Sequence, residues 1–179
     1  MITKILNAIT LSRILCAILI YLILYLEKNY SIALVLFFIA SFSDFLDGYI
    51  ARKTKSESVL GEILDPIADK LLIVFVLIGL SINLDSFLIG FISSVIISRE
   101  IWVAALRDIN ARNNQSDKTK VTFLAKTKTA IQMSAVLMYL FGLTVDNMMI
   151  LFFADIILII ALLVTIQTGF QYTISTFKK

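Results

Sequence analysis

The chain reads as an all-α membrane protein of six transmembrane helices, with a polar cavity facing the cytoplasm. Three observations predict this. Of 179 residues, 59% are hydrophobic and only 16% charged, and mean hydropathy is +0.93, whereas a soluble domain runs at about 45–50% apolar and about 25% charged. Six apolar stretches approach the roughly 20 residues that a bilayer-crossing helix needs. The ionisable residues embedded in those stretches gather at one end of each. A single domain over residues 1–179 accommodates all of this.

Each element can be taken in turn. The first span, residues 8–26, opens on Arg13; with no small-residue cleavage site behind a short apolar core, it reads as a retained helix and not a signal peptide. Residues 31–51 close on Asp44 and Asp47, with Arg52 just beyond. Residues 61–82 open on Asp65, Asp69 and Lys70. Residues 86–106 close on Arg99, Glu100 and Arg107. Residues 124–143 open on Lys126 and Lys128, and residues 147–168 complete the set. A single proline and six glycines allow long uninterrupted helices, and no glycine pair has the GxxxG spacing. The one substantial polar loop lies between Arg107 and Lys120.

The basic residues set the orientation. Of 16, all but Lys28 fall at the N-terminus, near the second-to-third or fourth-to-fifth connection, or at the C-terminal Lys178-Lys179. By the positive-inside rule both termini and the charged ends of the spans face the cytoplasm. With no presequence in view, the expected location is a bacterial inner (cytoplasmic) membrane. No nucleic-acid partner is expected. The absence of histidine excludes His-based triads and His-ligated zinc, and the lone Cys16 excludes a disulfide within the chain.

Four aspartates stand out. Asp44 and Asp47 are spaced i, i+3 and Asp65 and Asp69 i, i+4, so each pair shares a helix face. A hairpin from Arg52 to Gly61 would set the pairs opposite one another. Ionisable groups beside hydrocarbon are costly and mark function, and four bare carboxylates would repel. Hard divalent cations resolve the conflict: oxygen-only ligands suit Mg²⁺, Mn²⁺ or Ca²⁺ and argue against zinc or copper. Four carboxylates can hold two ions about 3.5–4 Å apart, a clamp for a phosphoryl group. Gly48 and Gly61 leave room for a bulky group to approach the backbone, Ala51 keeps that wall low, and Arg52 offers a planar fork to phosphate oxygens.

The pattern Asp44-x2-Asp47-Gly48-x2-Ala51-Arg52-x8-Gly61-x3-Asp65-x3-Asp69 resembles the signature of the CDP-alcohol phosphotransferases at every defined position. The hydrophobic layout is similar to that family's six-helix core over nearly the whole chain. The resemblance implies transfer of a phosphatidyl or related group from a CDP-linked donor to an alcohol, with release of CMP. It further implies two divalent cations, Mg²⁺ or Mn²⁺, held by Asp44, Asp47, Asp65 and Asp69, with Asp69 also the general base. Gly48, Ala51, Arg52 and Gly61 would line the cytidine diphosphate site, and Asn7, Thr10 and Arg13, on one side of the first helix, would join them. A homodimer is the family expectation.

Beyond the signature, Asp65-Pro66-Ile-Ala68-Asp69-Lys70, Ser98-Arg99-Glu100-x6-Arg107 and Lys126-x-Lys128-Thr129-x2-Gln132 resemble the phosphatidylglycerophosphate-forming branch, whose substrates are CDP-diacylglycerol and sn-glycerol-3-phosphate. A dianionic acceptor needs basic groups, and Arg99, Arg107, Lys126, Lys128, Thr129 and Gln132 are the expected acceptor-phosphate set, with Glu100 orienting an arginine. Arg99 and Arg107 project about 80° apart on a helix and can converge, whereas Lys126 points away from Lys128. Two other readings compete: a cardiolipin synthase with phosphatidylglycerol as acceptor, and a small cation channel or transporter with an acidic filter. The second fits poorly, because the charges stop at one face. Asp155, in the last span, is not explained by any of these.

Overall fold

The computed structural model describes residues 2–54, 59–119 and 123–178; the side chains of residues 2–6, 44–54, 59–60, 62–63, 116 and 123–126 lie outside the description. Among the described residues every regular element is helical. Six long helices run α1 (Ile2–Leu22), α2 (Tyr30–Thr54), α3 (Val59–Asn83), α4 (Phe87–Arg112), α5 (Phe123–Thr144) and α6 (Met148–Phe177). A five-residue π-helical turn, Ile23–Glu27, ends α1, and a short 3₁₀ turn, Ser116–Thr119, follows α4.

The apolar stretches thus form helices where expected, but three run further at the charged end. α1 begins at Ile2, α4 continues to Arg112 and α6 to Phe177. Hydropathy marks the part of a helix that meets hydrocarbon, and the polar turns beyond it keep the same backbone. Among the described residues three helices, Asn7–Glu27, Phe87–Arg112 and Met148–Phe177, are long and apolar enough to cross a membrane, and Tyr30–Ser43 is a shorter apolar helix. The outward faces are themselves hydrocarbon: Leu15, Phe38, Phe87, Trp102, Phe152, Leu163 and Phe170 are all exposed. Such a surface is at home in lipid, and the chain is an integral membrane protein.

The helices alternate in direction. α1 packs along α3 and against α2, α5 lies along α6 and beside α2, and α4 sits between α3 and α6. α2 and α3 meet little among the described residues, so the expected face-to-face hairpin of the two aspartate pairs lies outside what is described. The core runs through the half of the bundle away from the charges and includes Ile20, Leu24, Phe37, Leu77, Leu80, Ile92 and Val136, each fully buried. Close crossings use alanine where glycine pairs are lacking: Ala17, Ala33, Ala40, Ala135, Ala154 and Ala161 are all buried, small residues that let helix backbones approach. On α6 the buried stripe is Ala154, Leu158, Ala161, Thr165, Thr168, Gly169 and Tyr172, the three- and four-residue spacing of a single packing face.

The end remote from the clustered charges is closed by three turns of one design. Lys28, Asp85 and Asp146 each take the left-handed conformation, with φ of 51°, 47° and 50°. The next residue in each case caps the following helix: Asn29 accepts from the Ile32 N–H, Ser86 from that of Ile89, and Asn147 from those of Met149 and Ile150. Two of the turns are locked further by N–H groups reaching back one turn, Ser86 to the Ser81 carbonyl and Asn147 to that of Gly142, both at 3.0 Å. Asn83 ties the first and second hairpins together there, donating to the Leu24 carbonyl at 2.7 Å and accepting from the Tyr30 hydroxyl at 2.9 Å.

Candidate functional site

At the opposite end the bundle opens into a cavity of about 550 Å³ between α3, α4 and α5. Its α3 side carries Asp65 and Asp69, its α4 side Arg99, Glu100 and Arg107, and its α5 side Lys128, Thr129 and Gln132. The sequence placed these residues in three separate stretches, and antiparallel packing gathers them at one level.

The two aspartates are held from behind by α1. Thr10 donates to Asp65 Oδ1 at 2.7 Å, and Arg13 Nη1 donates to Asp69 Oδ1 at 3.0 Å. Thr10 and Arg13 are almost wholly buried, whereas the Asp69 side chain keeps 21% of its surface. The i, i+3 pair on α1 therefore forms two rungs with the i, i+4 pair on α3. The reason lies in the backbone: α1 and α3 lie side by side, so like spacings meet in register. The donor set that Asp65 and Asp69 offer is oxygen alone, which fits a hard divalent cation in type. Asp44 and Asp47 lie on α2 with Gly48, Ala51 and Arg52, and the side chains of all five are outside the described residues, as is that of Lys126. Asn7 and Gly61 sit near the ends of α1 and α3 at this same end of the bundle.

The other wall is a cluster of cations around one carboxylate. Glu100 Oε1 accepts from Arg99 Nη1 at 2.9 Å and from Lys128 Nζ, and Oε2 faces Lys70 Nζ at 3.4 Å. Lys70, on α3, thus pairs with α4 and not with its neighbouring aspartates. Glu100 and Lys128 are largely buried, with side chains 14% and 7% exposed, so the pair is shielded from screening. Gln132 is turned aside to donate to Thr165 Oγ1 at 3.1 Å. Arg107 has no hydrogen bond to its buried Nε among the described residues; its guanidinium instead lies 5.5 Å from the centre of the Tyr172 ring.

A pair of carboxylates opposite such a wall can hold a cation on one side and a phosphate ester on the other. Comparison with known proteins places the chain in a family. The model of the CDP-alcohol phosphatidyltransferases matches residues 4–167. The chain belongs to the CDP-alcohol phosphatidyltransferase family. Three relatives in that family share one name. The CDP-diacylglycerol–glycerol-3-phosphate 3-phosphatidyltransferase of Rickettsia bellii is 39% identical over 169 residues, 93% of this chain and 91% of its own. That of Haemophilus influenzae is 38% identical over 149 residues, 82% and 78% of the two chains. That of Rickettsia felis is 37% identical over 171 residues, 93% and 91%.

For this family member the structure also adds residues that sequence reasoning passed over. Thr168 accepts from Arg99 Nη2 at 2.8 Å, the Tyr172 ring lies beneath both arginines, and Gly169 lets the Arg99 stem lie against α6, since a Cβ there would stand 3.1 Å from Arg99 Cγ. The only signal available was the buried stripe of α6, which continues past Thr168 at unchanged spacing. Asp155 also finds its partner: the buried Tyr139 hydroxyl on α5 donates to Asp155 Oδ1.

Proposed function

We infer that this chain transfers the phosphatidyl group of CDP-diacylglycerol to sn-glycerol-3-phosphate, giving phosphatidylglycerophosphate and CMP. The observation that carries the reading is the agreement of relatives over most of the chain, joined to a cavity that sets Asp65 and Asp69 against Arg99, Arg107 and Lys128.

The proposed roles follow the chemistry. Asp44, Asp47, Asp65 and Asp69 would hold two divalent cations, Mg²⁺ or Mn²⁺, which when bound neutralise the diphosphate. Asn7, Gly48, Ala51, Arg52 and Gly61 form the cytidine diphosphate side, with Thr10 and Arg13 serving it by holding Asp65 and Asp69 from behind. Arg99, Arg107, Lys126, Lys128 and Thr129 form the acceptor side, where fixed cations balance the dianionic phosphate in a partly desolvated site, while Gln132, turned toward Thr165, supports the wall behind them. Asp69 takes the proton from the 1-hydroxyl of the acceptor. The hydroxyl oxygen then bonds to the phosphorus that carries diacylglycerol, and the bond from that phosphorus to the bridging oxygen breaks with its electron pair going to CMP. The protein's contribution is mainly position and charge.

In this reading all six helices cross a bacterial inner membrane, with the cavity at the cytoplasmic face. The charge at that end and the apolar core in the other half support this. Donor acyl chains stay in the bilayer, and two copies pair as a homodimer.

The test is CMP release by purified protein with CDP-diacylglycerol and Mg²⁺, offered sn-glycerol-3-phosphate or phosphatidylglycerol. Release with glycerol-3-phosphate alone, reduced at least 10²-fold in Asp65→Asn, is the expected result (the order of a lost catalytic group). Release with phosphatidylglycerol alone would move the enzyme to cardiolipin synthesis.

A further inference from the structure

The cavity's two arginines are held by a part of α6 that lies beyond the residues shared with the family model. Arg99 and Arg107 sit two turns apart on α4, and the centre of one ring, Tyr172, lies 5.7 and 5.5 Å from their guanidinium carbons. Tyr172 is itself 3% exposed, so the ring is fixed by packing with Val103 and Leu106. Thr168, one turn earlier, takes the second guanidinium nitrogen of Arg99, and Gly169 between them leaves space for the Arg99 stem. The arrangement does one thing that an acidic partner would not. A carboxylate beneath Arg107 would orient it but cancel its charge. An aromatic face orients a guanidinium and leaves its charge and in-plane N–H groups for another anion. Arg107 has no carboxylate among the described residues, and its buried Nε has no hydrogen-bond partner. Glu100 is shared among Arg99, Lys70 and Lys128, so the cluster retains excess positive charge.

We propose that Tyr172 is a positioning residue for a phosphate monoester dianion: its ring holds Arg99 and Arg107 at the spacing at which both address one phosphate group in the cavity. The proposal rests on the reading of this wall as the acceptor side. It makes the last turns of α6 part of acceptor recognition, although they contribute no group that touches the substrate.

The experiment measures calorimetric binding of sn-glycerol-3-phosphate, inorganic phosphate and phosphatidylglycerol micelles to full-length protein in detergent, for wild type, Tyr172→Leu, Tyr172→Phe and Arg107→Gln. KM values for both substrates are measured in parallel. Tyr172→Leu is expected to weaken both soluble phosphates roughly tenfold, the scale of losing two ring–cation contacts, and to raise KM for glycerol-3-phosphate while KM for CDP-diacylglycerol holds. Tyr172→Phe keeps the ring and recovers the binding. In Arg107→Gln, adding Tyr172→Leu costs less than in the wild-type background.

Wild-type binding of soluble phosphates by Tyr172→Leu overturns the proposal. So does equal weakening of donor and acceptor, loss confined to phosphatidylglycerol, or failure of the wild type to bind either soluble phosphate. If the wild type binds them with the expected pattern but releases no CMP with glycerol-3-phosphate, the positioning role stands and the proposed function falls.

Discussion

Replacing Glu100 with glutamine tests the central electrostatic claim about the cavity. The substitution keeps the shape of the side chain and removes one negative charge. It leaves Arg99, Lys70 and Lys128 converging on a neutral amide, with Lys128 only 7% exposed and Arg99 9%. Removing one partner from a fully buried ion pair costs about 3–5 kcal/mol. Here Lys70 is 43% exposed, so its contact adds little, and a cost of about 2–3 kcal/mol is the reasonable scale for a cluster that is only partly buried. For a chain of this length that lowers the thermal midpoint by about 5–10 °C. The assay is thermal unfolding in detergent, followed by helical circular dichroism, with and without 50-fold excess inorganic phosphate over the wild-type Kd (about 2.3 kcal/mol of stabilisation by mass action). Phosphate should restore more of the midpoint in Glu100→Gln than it adds to wild type, because the anion replaces the missing carboxylate. In Glu100→Gln/Lys128→Met the loss should be smaller than the sum of the single losses, by about 1 kcal/mol or more. A Glu100→Gln midpoint within 1 °C of wild type (well below about 1 kcal/mol), unmoved by phosphate, would refute the reasoning.

Two further predictions concern the other half of the bundle. Tyr139→Phe removes the hydroxyl that donates to Asp155 and should cost about 1–3 kcal/mol in thermal stability, a loss that Tyr139→Phe/Asp155→Leu largely recovers; equal stability of Tyr139→Phe and wild type would show the contact to be idle. Gly142→Val places a Cβ 2.9 Å from Leu151 Cδ2 and 3.1 Å from Ile150 Cγ2, where α5 and α6 meet. Overpacking should lower stability by about 1–3 kcal/mol, read as a lower midpoint with CMP release per folded molecule unchanged.

Much of the architecture was legible because hydrocarbon imposes a length on apolar runs and a side on basic residues. The six helices appear where the runs do, and the charges collect at one end. The pairing of α1 with α3 could not be read, since hydropathy says that a helix is covered but not by which neighbour. The rungs Thr10–Asp65 and Arg13–Asp69 were half visible: both spacings stood in the sequence, but nothing joined them until the two helices lay in register. Tyr139 and Asp155 stand at equal separations from Asn147, so an antiparallel hairpin alone would have predicted their contact. Thr168, Gly169 and Tyr172 were missed because threonine, glycine and tyrosine near the end of an apolar helix resemble an ordinary membrane boundary. Only the arginines they touch reveal their use.

The three capped turns have a consequence for how the protein enters its membrane. α1 with α2, α3 with α4 and α5 with α6 each form a packed hairpin whose crest is capped by its own neighbouring residues, with Asn83 tying the first crest to the second. In the proposed orientation each crest is what must be carried across the bilayer, and each exposes only a residue or two of charge, such as Asp85 or Asp146. The cations and carboxylates that would be most costly to translocate never leave the side on which they are made. Biogenesis can therefore proceed hairpin by hairpin, with the cavity assembled last, from parts that have each already come to rest.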